Sequence, residues 1–256
     1  MTSRLPPVFC ERPIAHRALH DAAQGRPENS RAAIRAAIAG GYGIEIDLQL
    51  TSDGQAVVFH DYDLGRLTGR SGPIRRITAA EAAGITLLHS EAEGIPTLSE
   101  VLDLVAGRAP LLIEVKDQDG AMGPDVGPLE QAATRALDGY AGPVALMSFN
   151  PHSVAAIARL APDLPRGLVT SAYNPFDWAL PAAVCDRLRE IPDFDRLGAD
   201  FISHEAADLG RPRVAELKAR GVPILCWTVR SAAQEAEVRK VADNVTFEKY
   251  LAALPA

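Results

Sequence analysis

Two acidic residues interrupt an apolar stretch in the range 43–61, which reads GIEIDLQLTSDGQAVVFHD. Glu45 and Asp47 alternate with aliphatic residues, so a strand would place both carboxylates on one face. Two carboxylates this close repel, and their burial costs free energy unless a cation or a strong donor lies between them. A solvated strand face would explain one such pair alone, but further charged groups in the chain favour a functional site.

Those further groups occur at the ends of other apolar runs. His16 and Arg17 follow a short apolar segment, and His60 ends the strand that comes after the acidic pair. In the run LLIEVK at 111–116, Glu114 and Lys116 are two residues apart and share a strand face. The chain thus supplies a third acid, two histidines and two cations in similar settings.

Three carboxylates without a cysteine or histidine cluster indicate a hard oxygen site, which suits Mg²⁺ or Ca²⁺ rather than zinc. A divalent ion would leave the three acids with about one negative charge, and Arg17 and Lys116 would bring the site to about +1. Such a site attracts a singly charged phosphodiester, whereas the metal-free site repels it. Because an unperturbed histidine side chain titrates near neutrality, His16 and His60 are suited to divide the roles of acid and base.

The elements that position these residues form an alternating pattern. Strands of four to six residues separated by helical segments are typical of parallel βα units. The predicted strands end near His16, Asp47, Lys116, Ser148, Thr170, Ser203, Val229 and Phe247. We therefore expect an α/β fold, a TIM (β/α)8 barrel, in which working residues lie at the C-terminal ends of the strands.

The local signals place several helices and one irregular segment. A capped, alanine-rich helix is expected from Asn29 or Ser30 to Ala39, another within IPTLSEVLDLVAG at 95–107, and a helical stretch containing Trp178. The irregular range 63–95 follows a predicted hairpin and is expected to be a small insertion. We expect residues 1–256 to form a single barrel domain around it.

Composition limits the classes of partner. The 256 residues are 47% hydrophobic and carry a formal net charge of −7, with no Lys/Arg-rich run, which argues against nucleic acid. The three cysteines lack metal-site spacing and argue against a disulfide framework. Without an apolar signal-like or membrane-spanning run, we expect a cytoplasmic protein with no stable membrane association; the oligomeric state is not readable.

Taken together, these motifs resemble the glycerophosphodiester phosphodiesterase family over nearly the whole chain. They are AHR (15–17), PENS (27–30), EID (45–47), TSDGQAVVFHD (51–61), IPTLSE (95–100), LIEVK (112–116) and CWTV (226–229). The resemblance implies a TIM barrel with a small insertion after the second histidine. It also implies metal-dependent hydrolysis of small glycerophosphodiesters to glycerol 3-phosphate and an alcohol.

The resemblance further implies roles for individual residues. Its metal ligands match Glu45, Asp47 and Glu114, and its general acid and base match His16 and His60, in an order that the sequence leaves open. Its phosphoryl-binding residues match Arg17 and Lys116, and the residues that line its glycerol or leaving-group side match Trp227 and Phe149. Where many members end the barrel with a TDYP-like loop, this chain has VTFEK at 245–249.

Three other functions remain as alternatives. A lysophospholipase D would use the same groups but need an apolar mouth, for which the insertion offers a few aliphatic residues. A metal-independent barrel phospholipase C would replace the carboxylate cluster with basic residues, which this chain does not do. An inactive barrel that binds phosphorylated ligands would be expected to lose a histidine or a metal ligand, and none is lost here.

Overall fold

Eight parallel strands close into a barrel in the computed structural model, which describes residues 3–255. A ninth strand, β3, pairs antiparallel with β2 outside the ring. The strands are β1 (Ile14–Ala15), β2 (Gly43–Leu50), β3 (Ala56–Val58), β4 (Leu111–Val115), β5 (Val144–Ser148), β6 (Arg166–Thr170), β7 (Phe201–Glu205), β8 (Ile224–Val229) and β9 (Asn244–Phe247). The prediction of an eight-stranded (β/α)8 barrel is therefore confirmed.

The shortest strand closes the ring. In β1, Ile14 pairs with Gly43 of β2 on one side and with Thr246 of β9 on the other. The chain's first and last strands are thus neighbours, and the residues that follow them meet at the same end of the barrel. β2 runs three residues beyond Asp47 into the hairpin with β3, so this carboxylate lies within the strand rather than at its end.

The described residues form eleven α-helices, and most of these cover the outside of the barrel between the strands. They are α1 (Val8–Glu11), α2 (Arg31–Ala39), α3 (Gly65–Thr68), α4 (Ala79–Ala83), α5 (Leu98–Val105), α6 (Pro128–Ala136), α7 (Pro151–Leu160), α8 (Ala182–Arg189), α9 (Phe194–Leu197), α10 (Pro212–Ala219) and α11 (Ala232–Val238). The caps of α2 and α5 follow the sequence signals. The Ser30 side chain accepts from the Ala33 amide, and Thr97 with Glu100 forms a capping box.

One helical prediction is wrong. Trp178 lies in a loop between β6 and α8 rather than in a helix. Pro175 and Pro181 bracket the segment, and proline disfavours helical backbone in the residue before it, so a helix starts only at Ala182. The sequence interpretation also did not predict α6, which begins at Pro128.

The barrel has an outer and an inner packing layer. Ile44, Ile46 and Leu48 of β2 pack outward in the main core between strands and helices. A second cluster fills the inside and includes Leu112, Phe201 and other strand residues, with Phe9 of α1 fully buried against it. Strand alternation therefore turns Glu45 and Asp47 into the barrel.

The range 63–95 contains α3, α4 and a 3-10 turn at Ile74–Arg76. Its aliphatic residues pack among themselves and under β3, in a small cluster that includes Leu67, Ile74, Ile85 and Leu87. Most of the apolar side chains that could have formed a lipid-binding mouth are therefore internal, although Leu88 is 43% exposed.

Candidate active site

All nine side chains singled out in the sequence line one cavity of about 150 Å³ inside the C-terminal end of the barrel. They are His16, Arg17, Glu45, Asp47, His60, Glu114, Lys116, Phe149 and Trp227. Three larger clefts, of about 560, 650 and 710 Å³, lie elsewhere on the described residues, but none of them is lined by the three acids or by His16 and His60. The smaller cavity is therefore the candidate site.

The three carboxylates come from two adjacent strands. Asp47 of β2 is in register with Glu114 of β4, and one oxygen from each of Glu45, Asp47 and Glu114 can be chosen so that all three lie within 4.8 Å of one another. All three residues are buried. Burial, reinforced by the charges of Asp47 and Glu114, raises the pKa of Glu45 well above its usual range. The cluster therefore has more negative charge than the protein compensates, and its oxygen donors fit a divalent cation.

Two cations adjoin this cluster. The Lys116 Nζ lies 2.8 Å from Glu114 Oε1 and 3.6 Å from Asp47 Oδ1, while the Arg17 Nε lies 3.5 Å from Asp47 Oδ2. Although burial alone would raise the pKa of Asp47, the charges of Lys116 and Arg17 and a hydrogen bond from Asn29 hold it well below its usual range. The Arg17 Nε is buried and has no hydrogen-bond partner among the described residues, which leaves a donor at the cavity wall.

Asn29 orients the central carboxylate. Its side-chain amide donates to Asp47 Oδ2 at 2.9 Å, and its carbonyl oxygen accepts from the Asp47 backbone amide at 3.3 Å. The sequence interpretation saw Asn29 only as a candidate start of α2 and missed this contact. The order of the elements could have indicated this contact. In a βα barrel, the helix that precedes β2 begins at the mouth of the barrel, and Asn29 lies at that beginning.

His60 is held at both ring nitrogens. Its Nδ1 lies 2.6 Å from Asp61 Oδ1, and its Nε2 lies 3.2 Å from the Lys116 Nζ. Burial is outweighed by hydrogen bonds from His60 and Arg66, which hold the pKa of Asp61 well below its usual range. Because an ammonium group has no acceptor, the His60 Nε2 accepts from Lys116 and the proton lies on Nδ1.

An ionic clamp joins the insertion to the barrel. Arg66 of α3 lies 2.7 Å from Glu28 Oε2 through its NH1 and 2.7 Å from Asp61 Oδ2 through its Nε. Glu28 in turn accepts from Arg17 at 2.8 Å. Arg66 therefore braces the carboxylate partners of both His60 and Arg17, a contact that the sequence interpretation did not foresee.

His16 has a carboxylate partner from the far end of the chain. Its Nδ1 lies 2.7 Å from Glu248 Oε2, and the other oxygen of Glu248 accepts from the Arg230 Nε at 2.8 Å. The Nε2 of His20 is 3.6 Å from Glu248 Oε2. Burial lowers the pKa of His16, although the bond to Glu248 acts in the opposite direction.

His204, at the end of the sixth parallel strand of the ring, has a structural role. His204 is fully buried in β7, where its Nδ1 lies 2.7 Å from Thr170 Oγ1 and its Nε2 lies 3.1 Å from the Asp208 carbonyl oxygen. It does not line the candidate cavity.

Among residues 3–255, the structure has no helix that is both long and apolar enough to cross a membrane.

Comparisons of sequence and of structure with known proteins point to one family. The sequence pattern of the Glycerophosphoryl diester phosphodiesterase family matches residues 16–246. A glycerophosphodiester phosphodiesterase of Caldanaerobacter subterraneus is 35% identical over 165 residues, which is 61% of this chain and 65% of that relative's length. The chain thus matches slightly under two thirds of that curated relative.

Solved structures match over a longer range. A phosphodiesterase of Oleispira antarctica, solved with the product sn-glycerol-3-phosphate, is 25% identical with a TM-score of 0.75, and the match covers 93% of this chain and 92% of that one. A glycerophosphodiester phosphodiesterase of Parabacteroides distasonis is 22% identical with a TM-score of 0.73, over 96% and 94% of the two chains. The second likeness supports the fold alone.

Proposed function

The chain belongs to the glycerophosphoryl diester phosphodiesterase family, and we propose that it hydrolyses glycerophosphodiesters to glycerol 3-phosphate and an alcohol. The observation that carries this proposal is the set of three carboxylates, two histidines and two cations around one cavity. The product bound to the Oleispira antarctica relative supports the same class of substrate.

The proposed metal ligands are Glu45, Asp47 and Glu114. Carboxylate oxygens are the ligands that Mg²⁺ and Ca²⁺ prefer, and the excess negative charge of this cluster supports a divalent cation. Such an ion, when bound, supplies Lewis-acid polarisation of the phosphoryl group and cancels negative charge in the cavity. With Arg17 and Lys116 the loaded site would carry about +1, which favours a singly charged diester.

The chain's own residues perform the remaining steps. Arg17 and Lys116 bind the phosphoryl oxygens. The Arg17 Nε supports that role, because it has only a 3.5 Å ion-pair contact with Asp47 and no hydrogen bond among the described residues. One histidine accepts the proton of the attacking hydroxyl, either the glycerol 2-hydroxyl or water, and the other donates a proton to the departing alkoxide. If the 2-hydroxyl attacks, water then opens the resulting cyclic phosphate to glycerol 3-phosphate, with the two histidines exchanging roles. His16 and His60 each have a carboxylate at Nδ1, so each would meet the substrate through Nε2. At His60 the substrate would have to replace the contact between Nε2 and Lys116. Phe149 and Trp227 form the apolar wall, with ring centroids 5.4 Å apart.

Hydrolysis of glycerophosphocholine with and without EDTA tests this function. We expect turnover that EDTA abolishes and that added Mg²⁺ or Ca²⁺ restores. A Glu45→Gln variant should remain folded. After EDTA treatment it should recover little activity at the metal concentration that restores the wild type, because it lacks one anionic ligand. Turnover that resists EDTA would contradict the metal-dependent mechanism, and no turnover of any glycerophosphodiester would favour a ligand-binding barrel.

A rate comparison across choline, ethanolamine, inositol and glycerol diesters, with a lysophospholipid included, addresses the substrate. We expect the small diesters to be preferred, since the insertion's aliphatic residues largely pack internally. A higher kcat/KM for the lysophospholipid would favour lysophospholipase D activity instead.

A further inference from the structure

We propose that Glu248 is a positioning residue for His16. The Glu248 carboxylate holds the His16 proton on Nδ1 and stabilises the imidazolium that forms during turnover. This inference rests on the proposed hydrolase function and assigns a role to a segment where the chain departs from the TDYP-like loop of many relatives. Glu248 would act through His16 and not touch the substrate.

Barrel closure brings the two residues together. Ala15 pairs with Phe247 in the parallel β1–β9 ladder, so His16 and Glu248 each follow directly at the C-terminal end of adjacent strands. The His16 amide donates to the Phe247 carbonyl oxygen at 2.9 Å. The strand pairing therefore fixes the backbone positions from which the two side chains reach each other.

The carboxylate is itself well anchored. Its backbone amide donates to the Val229 carbonyl oxygen at 2.9 Å, and the Arg230 Nε donates to Oε1 at 2.8 Å. The side chain is only 10% exposed. Hydrogen bonds from His16 and His20 hold the pKa of Glu248 well below its usual range, so it is an anionic acceptor near neutrality.

An acceptor-only carboxylate selects one tautomer of the imidazole. The hydrogen must lie on His16 Nδ1 for the 2.7 Å contact to be a hydrogen bond, which leaves the lone pair on Nε2 for proton transfer. The charged groups that act on this ring are Glu248, Arg17 and Asp47, and burial disfavours its protonation. Glu248 opposes that burial effect, so it favours the protonated state that the ring reaches in each catalytic cycle.

The first experiment compares Glu248→Gln and Glu248→Asp with the wild-type enzyme. We expect Glu248→Gln to lower kcat about 10- to 100-fold with KM within about twofold, by analogy with the loss of a carboxylate partner behind a metal-binding histidine. Glu248→Asp should recover part of the rate because it keeps the charge. The limb of the pH–kcat profile that belongs to His16 should move to lower pH in Glu248→Gln, since the lost charge no longer favours the imidazolium.

Glu235→Gln is the matched control. Glu235 is also a buried acid with two partners, the Arg239 Nε at 2.7 Å and the Tyr250 hydroxyl at 2.9 Å, but it does not contact His16. Its kcat and pH profile should equal those of the wild type. A double variant of His16→Ala with Glu248→Gln should be no slower than His16→Ala alone, because the carboxylate acts only through the ring.

A spectroscopic measurement keeps the inference testable if Glu248→Gln fails to fold or if no diester is turned over. Long-range ¹H–¹⁵N spectra of the wild-type protein should show neutral His16 with its hydrogen on Nδ1. A hydrogen on Nε2, an unchanged kcat and pH profile in Glu248→Gln, or an equal loss of rate in the His16→Ala background would each overturn the proposal. Absence of turnover with the Nδ1 tautomer present would contradict the hydrolase function and leave the positioning contact supported.

Discussion

Lys116 holds a central place in the charge balance of the site. Its ammonium group lies within 4 Å of Glu114 and Asp47 and contacts the His60 Nε2. Burial alone would lower its pKa, but the charges of Glu114 and Asp47 raise it, so the group is cationic at any ordinary pH. One side chain therefore links the acid cluster to a proposed proton-transfer residue.

The two histidines give the sharpest prediction at the residue scale. We expect His16→Ala and His60→Ala each to lower kcat by about 10² to 10⁴, the range for loss of a positioned acid or base. Stopped assays with glycerophosphocholine measure the loss, and calorimetric titration with Mg²⁺ or Ca²⁺ checks that metal affinity is kept. A His152→Ala variant is a suitable control, since this histidine does not line the cavity. Near wild-type turnover in either site variant would refute the acid/base assignment.

At the scale of elements, the insertion is tied to the site by one arginine. Arg66 of α3 pairs with Glu28 and Asp61, and those carboxylates contact Arg17 and His60 respectively. These contacts indicate what the insertion does for the site. It supplies the counter-charge that orients groups on the barrel without contributing a residue to the cavity.

Arg66→Met should therefore affect both rate and stability. We expect kcat to fall about tenfold as His60 and Arg17 lose their braced partners, and Tm at pH 7 to fall by roughly 2–4 °C, equivalent to about 1 kcal/mol for a partly exposed pair of ion pairs. Arg70→Met, in the same insertion but without a side-chain ion pair among the described residues, is the control. An unchanged kcat would show that the clamp serves stability alone.

The pH dependence of that stability loss has a definite sign. Arg66 and its neighbours lower the pKa of Glu28 and Asp61 in the folded protein against the opposing effect of burial. Their contribution is present above the unfolded-state pKa of about 4 and is lost as pH falls through the folded-state values. The Tm difference between Arg66→Met and wild type should thus be constant from pH 7 to 5 and shrink below about pH 4.

Particular elements show what the sequence could predict. The alternation in β2 and the caps of α2 and α5 are local signals, and they gave the strand, the helices and the inward direction of Glu45 and Asp47. Trp178 was misplaced because the interpretation gave no weight to the two flanking prolines, Pro175 and Pro181. Asn29, Arg66 and Glu248 were missed because their contacts depend on which distant elements become neighbours, which local spacing does not encode. Counting β1 and β9 as adjacent would have placed Glu248 beside His16.

At the scale of the whole molecule, α1 seals the end of the barrel opposite the site. Phe9 is fully buried in the inner cluster, and the Asn244 side chain donates to its carbonyl oxygen at 2.7 Å. The same asparagine donates to the Arg12 carbonyl oxygen at 2.6 Å. The seal and the mouth of the candidate site are therefore separate parts of one structure.

Phe9→Ala should separate stability from activity. We expect the free energy of unfolding to fall by about 3–5 kcal/mol, as for other fully buried aromatic residues, because a cavity remains inside the barrel. At a temperature where the variant is folded, kcat should stay within about twofold of wild type. Urea titration and the glycerophosphocholine assay measure the two quantities, and a large loss of kcat in the folded variant would show that the seal also shapes the site.

The pairing of β1 with β9 has a consequence for biosynthesis. His16 and Glu248 are 232 positions apart, so a ribosome makes the histidine long before its carboxylate partner. A nascent chain can hold all three proposed metal ligands outside the exit tunnel and still lack a closed ring, since β1 has an open edge until β9 emerges. Catalytic competence should therefore arise abruptly once β9 has emerged and paired with β1, rather than grow with chain length.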